Sequence, residues 1–158
     1  MEHREVLTSG LALDVACGYG GNALFVAARG YKVHAVDVSL NALNTLNQMA
    51  SRNGLPIQCF VADLDTYPLP QCIYDLVMVF RFFSEPLMAA LAGSLKHAGM
   101  LFYATYNYRH ISTKPDFNPA YLVPPGGLAQ FFPDLQVIVN EPIAGTDGQV
   151  AHLLARKK

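Results

Sequence analysis

The sequence predicts an α/β fold: a mostly parallel seven-stranded sheet, covered by helices on both faces and ending in an antiparallel hairpin. Three observations predict it. Short apolar, β-branched runs alternate with helix-forming segments from residue 11 to residue 106, the order of parallel strands joined by crossover helices. A glycine-rich turn, Gly18-Tyr-Gly20-Gly21, lies between the first strand and the first helix. Near the end of the chain two strands are joined by Gly145-Thr-Asp-Gly148, a hairpin signature. The bulk agrees, since 158 residues make one domain, and 52% hydrophobic with 15% charged composition suits a sheet buried on both sides and rules out disorder.

Leu11, Leu13 and Val15 form the first strand, which breaks into the glycine turn and feeds a helix beginning near Gly21 and closed by Gly30. Gly18 and Gly20 free the backbone for conformations that a Cβ would obstruct, so that a ligand can lie against the main chain. Lys32-Val-His-Ala-Val-Asp37 alternates as a second strand and ends on a carboxylate. Ser39 is a suitable N-cap for a helix from Ser39 to Asn53, with Leu40, Leu43, Leu46 and Ala50 on one stripe. After Pro56, Ile57 to Asp63 reads as a third strand, again closing on an acid, and the two prolines between Asp65 and Cys72 mark a loop.

Leu76 to Phe80 follows Tyr74-Asp75 as a short continuous apolar strand and delivers Arg81 to the carboxyl edge of the sheet, where ligands bind in open α/β folds. Pro86 suits the first turn of a helix running to Lys96, ended by His97-Ala-Gly99. Met100 to Tyr106 is the fifth strand, and the polar cluster Asn107-Tyr-Arg-His110 follows it beside Arg81. A proline-rich loop over 111–125 crosses the same edge, a short helix spans Gly127 to Phe132, and Leu135 to Asn140 and Val150 to Ala155 make the hairpin.

Gly18-x-Gly20-x-x-Ala23 satisfies a loose dinucleotide pattern, but Asp14, inside the first strand, extends it to Asp-x-Ala-x-Gly-x-Gly. That resembles the acidic-x-Gly-x-Gly-x-Gly motif of class I S-adenosylmethionine-dependent methyltransferases, with Ala16 in place of the first glycine, a small loss of room. The resemblance extends through Asp37, Asp63, the Tyr-Asp before the fourth strand and the terminal hairpin. It is closest to the small bacterial tellurite-resistance and thiopurine type, through Asn22-Ala-Leu-Phe, Arg81 and Tyr-x-Thr in the fifth strand.

The resemblance implies a Rossmann-like three-layer sandwich over residues 11–158 and S-adenosylmethionine as cofactor. It implies cofactor contacts from Asp14, Ala16, Cys17, Gly18, Gly20, Asn22, Asp37, Val38, Asp63, Leu64 and Phe80. Asp37 suits the ribose because its two oxygens can each accept from one of two neighbouring hydroxyls. On the acceptor side stand Arg81, a bidentate orienter of a polar or anionic group, Tyr106, and His110, whose ordinary pKa lies near neutrality. Residues 1–10 are expected to be a short tail, without the helices that in this family fold over the cofactor.

Composition narrows the partners. A net charge of −1 with scattered Lys and Arg disfavours nucleic acid and leaves a small-molecule acceptor. Cys17, Cys59 and Cys72 form neither a Cys-x-x-Cys motif nor an even set, the histidines show no ligand spacing, and no metal site is expected. A reducing cytoplasm is the expected compartment, with no membrane span and an N-terminus too acidic for a signal peptide. Two alternatives belong to other classes. A nicotinamide-dependent oxidoreductase would account for the glycines and Asp37 but not for Asp14, Asp63 or the hairpin. A partner-dependent or non-catalytic binding protein would show an exposed apolar patch or a homodimer.

Overall fold

The computed structural model describes residues 9–158, so the expected tail over residues 1–10 lies almost wholly outside the described residues. Seven strands form one sheet: β1 (Leu11–Val15), β2 (Lys32–Asp37), β3 (Ile57–Val61), β4 (Tyr74–Phe80), β5 (Leu95–Tyr106), β6 (Leu135–Pro142) and β7 (Val150–Lys157). Their order is β3-β2-β1-β4-β5-β7-β6, with the first five parallel and β7 antiparallel to both of its neighbours. The last strand is thus inserted between β5 and β6. This is the Rossmann-like α/β sandwich that the sequence predicts.

Alternation along the strands builds the two layers. Leu76 and Met78 of β4, with Ala12, Val33 and Ala35, pack under α1 (Gly21–Ala27) and α2 (Leu40–Arg52), whose Val26, Leu43 and Leu46 close that face. Val77 and Val79, with Leu13, Val15, Leu101 and Tyr103, face Leu91 of α3 (Met88–Ser94), Phe83 and Phe132 on the other. Ser39 caps α2 as its residue type predicts, its hydroxyl accepting from the Ala42 N–H at 3.3 Å.

The segment between β4 and β5 differs from the expectation. The helix predicted over Pro86 to Lys96 is a 3₁₀ turn at Glu85–Leu87 followed by α3, and β5 begins at Leu95. Competing hydrogen bonds end the helix early. The Gly93 and Ser94 carbonyls, which a longer helix would use internally, accept from the N–H groups of Cys72 and Ile73, and Leu95 pairs with Tyr74. Asp75 fastens the same corner, accepting from the Leu11 N–H at 2.8 Å and from Lys96 Nζ at 3.0 Å. Burial alone would raise its pKa, but these two partners outweigh burial and hold the carboxyl below its ordinary range. The helix expected over Gly127 to Phe132 is likewise a 3₁₀ turn, Leu128–Phe131.

Ala16 shows where the glycine motif departs from the family pattern. Its φ is +52°, in the left-handed region, so alanine there carries a cost in the backbone. Replacing Ala16 with Gly relieves about 1–2 kcal/mol of that strain and returns about 0.5–1 kcal/mol through the freer unfolded chain. Denaturant titration of Ala16→Gly is therefore expected to show a gain of about 0.5–1 kcal/mol; a loss would mean that the alanine methyl packs productively.

Candidate functional site

β1 lies between β2 and β4, with Val15 paired to Val36 on one side and to Val79 on the other. The residues that follow these three positions, the glycine loop, Asp37 and Phe80-Arg81, therefore emerge side by side at the carboxyl edge. The loop is tied down to β2 twice: Cys17 N–H donates to the Val36 carbonyl at 3.0 Å and Gly18 N–H to Asp37 Oδ2 at 2.7 Å. The other oxygen of Asp37 accepts from Ser39 N–H at 2.8 Å, so this carboxylate joins the loop to the start of α2. A carboxylate has about four acceptor positions, and two remain for hydroxyls of a ligand.

The two glycines of the motif do different things. A Cβ built on Gly18 meets nothing, so the space beside it is open to a ligand. One built on Gly20 would strike the Leu46 side chain of α2. The room expected at Gly20 for a ligand is thus occupied by helix packing.

Asp14 is 1% exposed and its Oδ2 accepts from the Ala23 N–H of α1 at 3.0 Å. Burial is the largest influence on it; the Ala23 N–H opposes that influence and the nearby Asp37 adds to it, pushing the pKa up to about 7. Cys17 is driven far above the ordinary thiol range, first by burial and then by Asp14 and Asp37, which makes it a poor nucleophile. Asn22 is half-buried in the first turn of α1. Asp63 lies two residues beyond β3, and its Oδ1 accepts from Asp65 N–H at 3.0 Å, a side-chain turn that starts the following loop. Leu64 beside it is buried. Val38 is 72% exposed, and with Tyr19, Leu40 and Val61 it gives the loop and strand ends an apolar rim.

Phe80, Arg81, Tyr106 and His110 line one cleft of about 490 Å³ with Thr105 and Gln149. β4 and β5 supply its floor and the β6–β7 hairpin loop its far wall. Arg81, like Ala16, holds a left-handed φ of +55°, a conformation retained at a strand end whose N–H donates to the Ala104 carbonyl at 2.9 Å. The Tyr106 and His110 rings stack at 4.0 Å, and Phe117 of the 111–125 loop meets His110 edge-on at 5.1 Å. Tyr108 and Arg109, from the same polar cluster, pair with each other at the surface and are not among the lining residues. Gln149 and Thr113 carry no sequence signal. Insertion of β7 beside β5 brings Gln149 to His110.

Residues 12–99, from β1 into β5, match the methyltransferase domain family. The chain belongs to this family. It is 40% identical over 73 residues to Hemagglutinin 1 of Eikenella corrodens, across 44% of this chain and 24% of that protein. Among solved structures, TehB from Haemophilus influenzae superposes with a TM-score of 0.81 at 17% identity, over 98% of this chain and 59% of that one. A geranyl diphosphate C-methyltransferase from Streptomyces coelicolor, in complex with S-adenosyl-L-homocysteine, superposes with a TM-score of 0.77 at 13% identity, over 94% and 70%. At these identities the superpositions establish the methyltransferase fold alone. The chain spans well under two thirds of the length of either Hemagglutinin 1 or TehB. No helix among the described residues is long and apolar enough to cross a membrane.

Proposed function

We propose that this chain is an S-adenosylmethionine-dependent methyltransferase acting on a small-molecule acceptor. One observation carries the reading: Asp37, with two acceptor positions left, is pinned to the open Gly18 loop, next to a strand end that opens into the Arg81–His110 cleft. The residues fit the cofactor. Asp37 would accept from the ribose hydroxyls, the Gly18 backbone would lie against the amino-acid portion, and Val38 with the apolar rim would cover the base together with Asp63 and Leu64. Asp14 would act through Ala23 and the loop. S-adenosyl-L-homocysteine in the Streptomyces coelicolor enzyme supports the choice of cofactor.

The bound cofactor supplies a methyl group activated by its sulfonium, so the protein has mainly to align the acceptor. Arg81 would hold an anionic or strongly accepting group by a bidentate hydrogen bond, while Tyr106 packs its apolar part. His110 would take the proton that the attacking heteroatom loses and pass it to solvent. The three free thiols and the near-neutral charge suit a cytoplasmic enzyme with no nucleic-acid substrate.

Calorimetric titration tests this. S-adenosylmethionine and S-adenosylhomocysteine are expected to bind at micromolar concentration and NAD not to bind. Asp37→Ala should weaken both sulfur ligands at least tenfold, since each hydrogen bond to a charged group is worth about 1.5–3 kcal/mol. Binding of NAD in their place would sink the proposal. A second reading, in which the site works only beneath a partner chain, has the exposed rim of Tyr19, Val38, Leu40 and Val61 behind it. It expects a folded sample that binds neither sulfur ligand alone.

A further inference from the structure

We propose that Gln149 is a positioning residue that fixes the His110 ring in the tautomer carrying its proton on Nδ1, leaving Nε2 as a proton acceptor. What His110 then serves rests on the methyltransferase reading; the tautomer does not. The Gln149 side-chain oxygen stands 3.0 Å from His110 Nδ1 and 2.6 Å from Thr113 Oγ1. Thr113 has a single hydroxyl proton and two acceptors within reach, Gln149 Oε1 and the His110 carbonyl at 3.1 Å, and the shorter contact takes it. The 2.6 Å contact to Thr113 is an O–H···O length, too short for an amide N–H donor, and so places the amide oxygen there; that oxygen has no proton to offer, so His110 Nδ1 is the donor in the other contact. The neutral histidine side chain in water prefers the opposite tautomer, with the proton on Nε2. The hydrogen-bond network therefore selects a form that an isolated side chain would disfavour.

The backbone around Gln149 is built to hold that oxygen still. Asn107, the residue after β5 and 8% exposed, ties both partners together. Its N–H donates to the Gln149 carbonyl at 2.8 Å and its Nδ2 to the Gly148 carbonyl at 2.7 Å, while its Oδ1 accepts from Arg109 N–H at the head of the turn that carries His110. One buried side chain thus fixes the hairpin loop and the histidine turn in one frame. Tyr106 and Phe117 hold the plane of the ring from a face and an edge. The arrangement is that of a base and its orienter, with an amide where many such sites use a carboxylate.

The test is a long-range proton–nitrogen correlation spectrum of the full chain, titrated through neutral pH, with His110 assigned by its loss in His110→Gln. In the unsubstituted protein above the midpoint, Nε2 is expected at the shift of an unprotonated ring nitrogen. Gln149→Leu should move the population to the Nε2-protonated form. Gln149→Glu should keep the proton on Nδ1 and raise the midpoint by about one pH unit or more, as a carboxylate beside an imidazolium does. Arg81 and Asp147, which line the same cleft, and Arg109 and Lys114, on the histidine's own segment, are common to all of these proteins and drop out of the comparison. An Nε2-protonated ring in the unsubstituted protein would overturn the inference. So would a Gln149→Leu spectrum unchanged at His110, or a Gln149→Glu midpoint that fails to rise. Backbone amide spectra of each variant confirm that it is folded, and Thr113→Val supplies a second route should Gln149→Leu unfold, since loss of the other donor should shift the His110 midpoint while leaving the tautomer in place. The readout needs neither cofactor nor acceptor, so absence of methyl transfer would count against the functional reading and leave this result standing.

Discussion

Stability is expected to fall as pH rises from about 4 to about 7, and Asp14→Asn is expected to remove most of that fall. Asp14 is buried in β1, and its carboxyl has a pKa of about 7 against an ordinary 3.8. Between those values the folded chain holds a proton that the unfolded chain has released. The unfolding free energy then decreases with pH, because its slope follows the protons bound by the unfolded state minus those bound by the native state. At 1.36 kcal/mol per pH unit, the rise is worth about 4 kcal/mol as an upper figure. Asparagine keeps an oxygen for the Ala23 N–H but buries an amide N–H₂ that needs a partner, a cost of about 1–3 kcal/mol. A net gain of about 1–3 kcal/mol at pH 8, turning into a loss of about 1–3 kcal/mol at pH 4, is the expected result of urea titrations of Asp14→Asn against the unsubstituted chain. Asp75 works in the opposite sense. Its pKa is lowered in the fold, so its contribution is present above the unfolded pKa and is lost as pH falls through the folded value. The Asp14 effect should therefore be read above pH 4. An equal slope in both proteins between pH 4 and 7 would show that Asp14 is already ionised in the fold.

The same residue shows how far the sequence could be read. An acid inside an apolar strand, four residues before Gly18, was legible as part of a cofactor motif, and the placement of Asp37 at the end of β2 and of Arg81 after β4 followed from strand boundaries alone. Those boundaries were set by periodicity and by local caps such as Ser39. What failed to show were features decided between elements distant in sequence. The early end of α3 comes from carbonyls captured by residues 72 and 73, which no helix propensity registers. Gln149 meets His110 across 39 residues of sequence, because β7 enters between β5 and β6. Glycine spacing likewise could not say which missing Cβ makes room for a ligand and which makes room for Leu46.

That last distinction gives a sharp expectation. Gly20→Ala should destabilise the chain by about 2–5 kcal/mol, by combining left-handed strain of about 1–2 kcal/mol with overpacking against Leu46 of about 1–3 kcal/mol. Gly20 has a φ of +73° as the N-cap of α1 and packs on Leu46 of α2, so neither term can relax without moving the other. Gly18→Ala carries the strain alone, at a φ of +54° with open space around its Cβ, and should cost about 1–2 kcal/mol. Ala16, two residues earlier at φ +52°, shows that this loop can hold an alanine in that conformation. Ligand binding should rank the two variants the other way. A methyl group at Gly18 would enter the space proposed for the cofactor, so Gly18→Ala should weaken S-adenosylhomocysteine binding more than Gly20→Ala does, compared at a temperature where both are folded. Thermal unfolding and calorimetry on the same pair measure both orders. If Gly20→Ala proved the milder change in stability, the packing of the loop on Leu46 would be wrong. If Gly18→Ala bound the ligand unchanged, the cofactor would have to lie elsewhere on the carboxyl edge.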